Sequence, residues 1–93
     1  MYATVRSYPG VAGLADALAG QADDVRRIIS QIDGFRAYYL LRTADGAVSV
    51  SVYDTQEGAE ESARAAAAFL RESLPDIEVA APQAVSGEVV VSA

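Results

Sequence analysis

Apolar residues along this chain switch between strict alternation and helical spacing, and the switches divide it into elements. Tyr2 to Tyr8 is a short run of aromatic and β-branched residues, which predicts a strand that Pro9-Gly10 stops. From Val11 the spacing changes: Val11, Leu14, Leu18, Val25, Ile28, Ile29 and Ile32 form one helical stripe. Asp16, Asp23, Asp24, Arg26 and Arg27 take the other faces. Gly20 is expected to bend or split this helix, and Asp33-Gly34 to end it, since glycine suits the left-handed position after a helix. Phe35 to Thr43 predicts a second strand. Ala44-Asp45-Gly46 then gives a hairpin signal, and Val48 to Tyr53 alternates strictly as a third strand. Asp54 with Glu57 predicts a capping box for a second helix, with Ala59, Ala63, Ala66, Ala67, Leu70 and Leu74 on its buried stripe. Glu60, Glu61, Arg64, Arg71 and Glu72 make its wet side, and Pro75 closes it. Ile77 to Ala84 reads as a connection and Val85 to Ser92 as a last strand.

The order is β-α-β-β-α-β, the ferredoxin-like split pattern of the α+β class: one four-stranded antiparallel sheet with two helices on one face. It accounts for residues 1–93 as a single domain. Side chains alternate across a strand, so each strand offers two sets. Ala3, Val5 and Ser7, with Phe35, Ala37, Tyr39 and Leu41, then Val48, Val50 and Val52, and finally Val89 and Val91, are the more apolar and are expected to meet the helices. The other face carries Tyr2, Thr4, Arg6 and Tyr8, then Arg36, Tyr38, Leu40 and Arg42, then Ser49, Ser51 and Tyr53, and Glu88, Val90 and Ser92. It is rich in tyrosine and arginine, types common at interfaces and in pockets. It is expected to meet a second sheet around a partly wet cavity. A slip of one residue in register exchanges the two faces.

Composition narrows the function. Hydrophobic residues make up 52% of a 93-residue chain, more than one thin layer of helices on a sheet can hide, so self-association is expected. A net charge of −6, with seven arginines and no lysine, argues against nucleic acid and anionic membranes as partners. The absence of cysteine removes disulfides, iron–sulfur clusters and thiol nucleophiles. With no signal-peptide pattern and no spanning apolar run, a cytoplasmic location is expected. No histidine is present, and no Asp/Glu group has metal-site spacing, so no metal is expected. Phosphate-loop spacing is absent as well.

The chemistry that remains is carried by Asp, Glu, Tyr and Arg. Arg6, Tyr38 and Tyr53 are the candidates to act on a ligand: arginine as a fork of donors for an anionic or phenolic group, tyrosine as donor or proton relay. Thr4, Ser49, Ser51 and Glu88 are the candidates to line the site. The competing reading pairs Arg6 with Glu88 across neighbouring strands and packs Tyr38 and Tyr53 in an interface. Arg36 and Arg42 are expected to be solvated or salt-bridged, and Tyr2 and Tyr8 to serve as packing.

The element order, Asp33-Gly34-Phe35 with the tyrosines after it, and the Val-Ser-Val-Ser-Val-Tyr53-Asp54 junction resemble the dimeric α/β-barrel superfamily, in its antibiotic-biosynthesis-monooxygenase-like branch. The resemblance covers almost the whole chain. It implies a homodimer built through sheet faces and cofactor-independent oxygenation of a small aromatic or phenolic compound, with no cofactor. The Asn, Trp, Tyr and Arg set of such oxygenases is only half present, since the chain has neither Asn nor Trp. The histidine ligand of haem-degrading relatives is missing too. The alternatives are a non-catalytic, ligand-binding or stress-associated homodimer, or a structural module without ligand. A pocket of about 300 Å³ or more beside Arg6, Tyr38 or Tyr53 favours a small-molecule site; a filled interior favours a structural dimer.

Overall fold

A computed structural model describes residues 1–11, 13–77 and 82–93. The strands are β1 (Tyr2–Pro9), β2 (Phe35–Thr43), β3 (Gly46–Tyr53) and β4 (Gln83–Glu88). The helices are α1 (Leu14–Ala19), α2 (Ala22–Ser30) and α3 (Gln56–Ser73). The strands form one antiparallel sheet in the order β2-β3-β1-β4, with the helices packed on one face. This is the expected ferredoxin-like α+β arrangement.

Local chemistry explains most boundaries. Gly20 does split the first helix, into α1 and α2. Gly34 sits at φ 82°, and a Cβ there would lie 3.2 Å from that of Asp54, so glycine fits on both counts. Ala44 and Asp45 turn the β2–β3 hairpin between the paired Thr43 and Gly46, and at Gly46 the carbonyl of Tyr8 leaves no room for a Cβ. Three expectations are corrected. Thr55, rather than Asp54, caps α3, its hydroxyl accepting from the Gly58 N–H at 3.2 Å. Asp54 is instead ion-paired with Arg36. Strand β4 begins at Gln83 and ends at Glu88, ahead of the expected Val85 to Ser92; Val90 and Val91 lie outside it, exposed. Much of the expected 77–84 connection, residues 78–81, lies outside the described residues.

The third correction is the largest: the two sheet faces are exchanged, apart from Phe35, which a bulge before Ala37 leaves on the helix side with Tyr53, as expected. Thr4, Arg6, Tyr8, Ala47, Ser49, Ser51 and Tyr53 are buried, and they lie on the face that the helices cover. Val5, Tyr39 and Leu41, from the apolar set, are exposed on the open face at 41, 64 and 45%, as is Val85 of β4 at 75%. Volume complementarity explains the choice. Helix α3 presents Gly58, Ala59, Ser62 and Ala66 toward the sheet, and these small residues leave space for the large side chains of β1 and β3. Leu14 and Leu18 of α1, with Tyr8, Ala15, Ala47 and Leu70, make one core cluster. Ile29, Tyr53 and Ala59 make the other.

Candidate functional site

Register sets the site out in rows on the helix-covered face. Arg6 of β1 stands opposite Ser49 of β3 on one side and Ala84 of β4 on the other, and Ser49 in turn opposes Leu40 of β2. The next row is Tyr38, Ser51, Thr4 and Ser86. The serines of β3 are short, so the longer side chains on either side of them lean over a low floor.

Arg6 is the unusual member. Only 3% of it is exposed, and its Nε and Nη1 have no hydrogen-bond partner among the described residues. The hydroxyls of Ser49 and Ser51 are also buried and unpaired. A buried cation without a counter-charge costs several kcal/mol, and arginine cannot escape by losing its proton. Five other arginines pair with carboxylates on exposed surface: Arg26 with Asp23, Arg27 with Asp24, Arg36 with Asp54, Arg42 with Asp16 and Arg64 with Glu61. Glu88 is not the partner of Arg6. It opposes Tyr2, four residues and about 13 Å along the strand from Arg6, and is exposed.

Three spaces meet at Arg6. A small cavity of about 30 Å³ lies beneath the helices, lined by Arg6, Tyr8, Tyr38 and Ser49 and otherwise by apolar side chains such as Ile28 and Phe69. It has room for one or two waters but not for an aromatic ring. A groove of about 740 Å³ lies between α3 and β4, lined among the described residues by Arg6, Tyr8, Ala67, Leu70, Leu74 and Ala84, with others. Its size suits a small organic molecule. A side depression of about 130 Å³ joins Arg6 to Thr4, Ser86 and Glu60.

The tyrosines divide into two kinds. Tyr53 is fully buried, and its hydroxyl donates to the Ile29 carbonyl at 2.7 Å, tying β3 to the end of α2. Its ring meets Phe35 edge-on, centroids 5.8 Å apart. Its hydroxyl is thereby committed within the core. Tyr8 and Tyr38 instead border the cavity beside Arg6. Burial pushes all three hydroxyls above their ordinary pKa. Arg6 offsets part of this for Tyr8 and Tyr38; at Tyr53 the Ser62 hydroxyl offsets first and Arg6 second. These phenols are therefore donors at neutral pH, not bases.

Of the sequence candidates, Arg6, Tyr38 and Ser49 come together around one cavity, with Ser51 in the adjoining row. Thr4 is nearby, but its hydroxyl is shared with Ser86 at 3.0 Å. Tyr53 and Glu88 stand apart. Sequence reasoning passed over Tyr8, Glu60 and Ala84. Tyr8 was legible from its alternation with Arg6; the other two depended on where α3 and β4 came to lie. Arg36 and Arg42 are salt-bridged as expected. Among the described residues there is no group of His, Cys, Asp and Glu that could hold a metal ion, and no helix is long and apolar enough to cross a membrane.

No family model and no curated protein matches the chain. Solved structures do match. The haem-degrader MhuD from Mycobacterium tuberculosis, solved with two haems in its active site, aligns with a TM-score of 0.73 at 16% identity, covering 100% of this chain and 99% of that one. A candidate antibiotic biosynthesis monooxygenase from Nitrosomonas europaea aligns with a TM-score of 0.71 at 18% identity, covering 98% and 100%. The monooxygenase ActVA-Orf6 of Streptomyces coelicolor, solved with nanaomycin D, gives 0.65 at 21% identity, covering 98% and 92%. At these identities the likeness is one of fold. In architecture, from β1 through β4, this chain has the ferredoxin-like fold of the antibiotic-biosynthesis-monooxygenase-like proteins.

Proposed function

We propose that this protein is a homodimeric, monooxygenase-like protein that takes a small aromatic or phenolic compound in the groove between α3 and β4. The observation that carries the reading is Arg6: a buried, unpaired guanidinium at the foot of an apolar groove large enough for such a ligand. A phenolate or quinone oxygen would accept from it, and the apolar walls would hold the ring. The protein's part is to orient the ring, lower the cost of the phenolate form through the fixed charge of Arg6, and exclude water. The substrate supplies the electrons: a phenol and O₂ give a quinone and water, with one oxygen atom entering the ring and the other leaving reduced. No strong base is needed where the phenol is itself acidic. Haem ligation by histidine or cysteine is excluded, since the chain has neither.

The homodimer follows from the open sheet face. Val5, Tyr39, Leu41 and Val85 form an apolar surface that pairing with a second copy would cover. A second reading, a dimer that binds the ligand without turning it over, is favoured by one observation. Tyr8 and Tyr38 are held protonated, and neither can serve as the base.

Nanaomycin D and simple hydroxyquinones are suitable probes, followed by fluorescence titration and oxygen uptake. Saturable binding that weakens at least tenfold in Arg6→Met supports the reading, and oxygen uptake selects the enzyme over the binder. Equal binding by wild type and Arg6→Met would remove Arg6 from the site and the proposal with it.

A further inference from the structure

The small cavity has a property that the groove ligand does not explain. Its polar side chains, Arg6, Ser49, Tyr8 and Tyr38, can all donate a hydrogen bond, and none carries a carboxylate or amide oxygen. Two guanidinium nitrogens and the Ser49 hydroxyl are buried without partners. The rest of the wall is apolar, including Leu18, Val25, Ile29 and Leu40. At about 30 Å³, the space matches one or two water-sized occupants. Water would satisfy the hydrogen bonds but leave the buried positive charge uncompensated.

We propose that this cavity is a binding site for one small monovalent inorganic anion of halide size, held by Arg6 and Ser49 and lined by α1, α2 and α3. The anion accepts from the guanidinium and the serine hydroxyl, and its charge balances that of Arg6 in a low-dielectric setting where such pairing is strong. Anion and groove ligand draw on the same charge, so a phenolate in the groove competes with it. The inference rests on the cavity and not on the identity of the groove ligand.

Crystals grown in sodium bromide test it directly, by anomalous scattering at the bromide edge. An anomalous peak within contact of Arg6 and Ser49 is the expected result. Thermal unfolding is measured alongside, from zero to 100 mM sodium bromide at fixed protein concentration. Above the dissociation constant the melting temperature should climb with the logarithm of bromide, by roughly 6 °C at about ten times that constant in a domain this size. Arg6→Met should lose this rise, and Ser49→Ala should move its onset to higher bromide. Ser49→Ala keeps the test open if Arg6→Met does not fold. A water in place of bromide in the wild-type crystal, or the same rise in both variants, overturns the site. Failure of the phenol titrations would leave these readouts unchanged.

Discussion

Replacing Tyr53 by Phe removes one oxygen atom and separates two roles for the residue. The hydroxyl donates to the Ile29 carbonyl at 2.7 Å in a fully buried setting. Ile29 lies in the last turn of α2, where carbonyls have no partner further along the helix, so the phenol acts as a side-chain cap. Losing a net hydrogen bond costs about 1 kcal/mol, and stranding a buried carbonyl adds a penalty of similar size. The ring stays and keeps its edge contact with Phe35, so no cavity forms. The expected loss is about 2 kcal/mol, which for a domain of this length lowers the melting temperature by about 8–16 °C. Urea unfolding at fixed protein concentration is the assay, read as a lower midpoint with an unchanged slope. Ligand binding in the groove should survive. A loss below about 0.5 kcal/mol would refute the capping argument. Intact stability with abolished ligand binding would restore Tyr53 to the acting role that its sequence position suggests.

Two further outcomes follow from the open face and the buried phenols. Val5→Asp places a charge at the centre of the exposed apolar surface, beside Val85 and Val50 in register, and should convert the proposed dimer to monomer in sedimentation or light scattering. A dimer that persists in this variant would mean that another surface joins the copies. Tyr8, Tyr38 and Tyr53 have folded pKa values above the unfolded value of 10.0, so the folded state retains their protons longer. Their contribution to stability is complete below pH 10 and is lost as pH rises through the folded values. Denaturant midpoints measured from pH 8 to 11 should be level at first and then fall; a midpoint that rises across that window contradicts the burial of these groups.

Much of this architecture was legible because local signals agreed. The hairpin signal of Ala44-Asp45-Gly46, the strict alternation from Val48 to Tyr53, Gly20 and Gly34 each dictate a backbone feature by chemistry that does not depend on the rest of the fold. The face assignment did not depend on local signals alone. Alternation shows that a strand has two sets of side chains, but not which set its own helices cover. Here the more polar set lies inside because α3 is lined with Gly58, Ala59 and Ser62, while the valines look outward. An apolar outer face makes the usual rule, apolar side inward, point the wrong way. Arg6 was identifiable as a candidate from its residue type, but its isolation was not. That depended on Glu88 lying a full four residues away, and so on the register of a strand whose limits the sequence misplaced.

Strand β4 is exposed along its whole length and bonded to the sheet on one side only, through β1. The hydroxyls of Thr4 and Ser86 add one side-chain link. Segments with so little buried surface open at the lowest free energy in a protein. Ala84 of this strand and Pro82 just before it also form one wall of the groove beside Arg6. Occupancy of the groove and protection of the β4 amides from solvent exchange are therefore linked quantities. Whatever fills the groove slows exchange along this edge, and whatever frays the edge weakens the hold on the occupant.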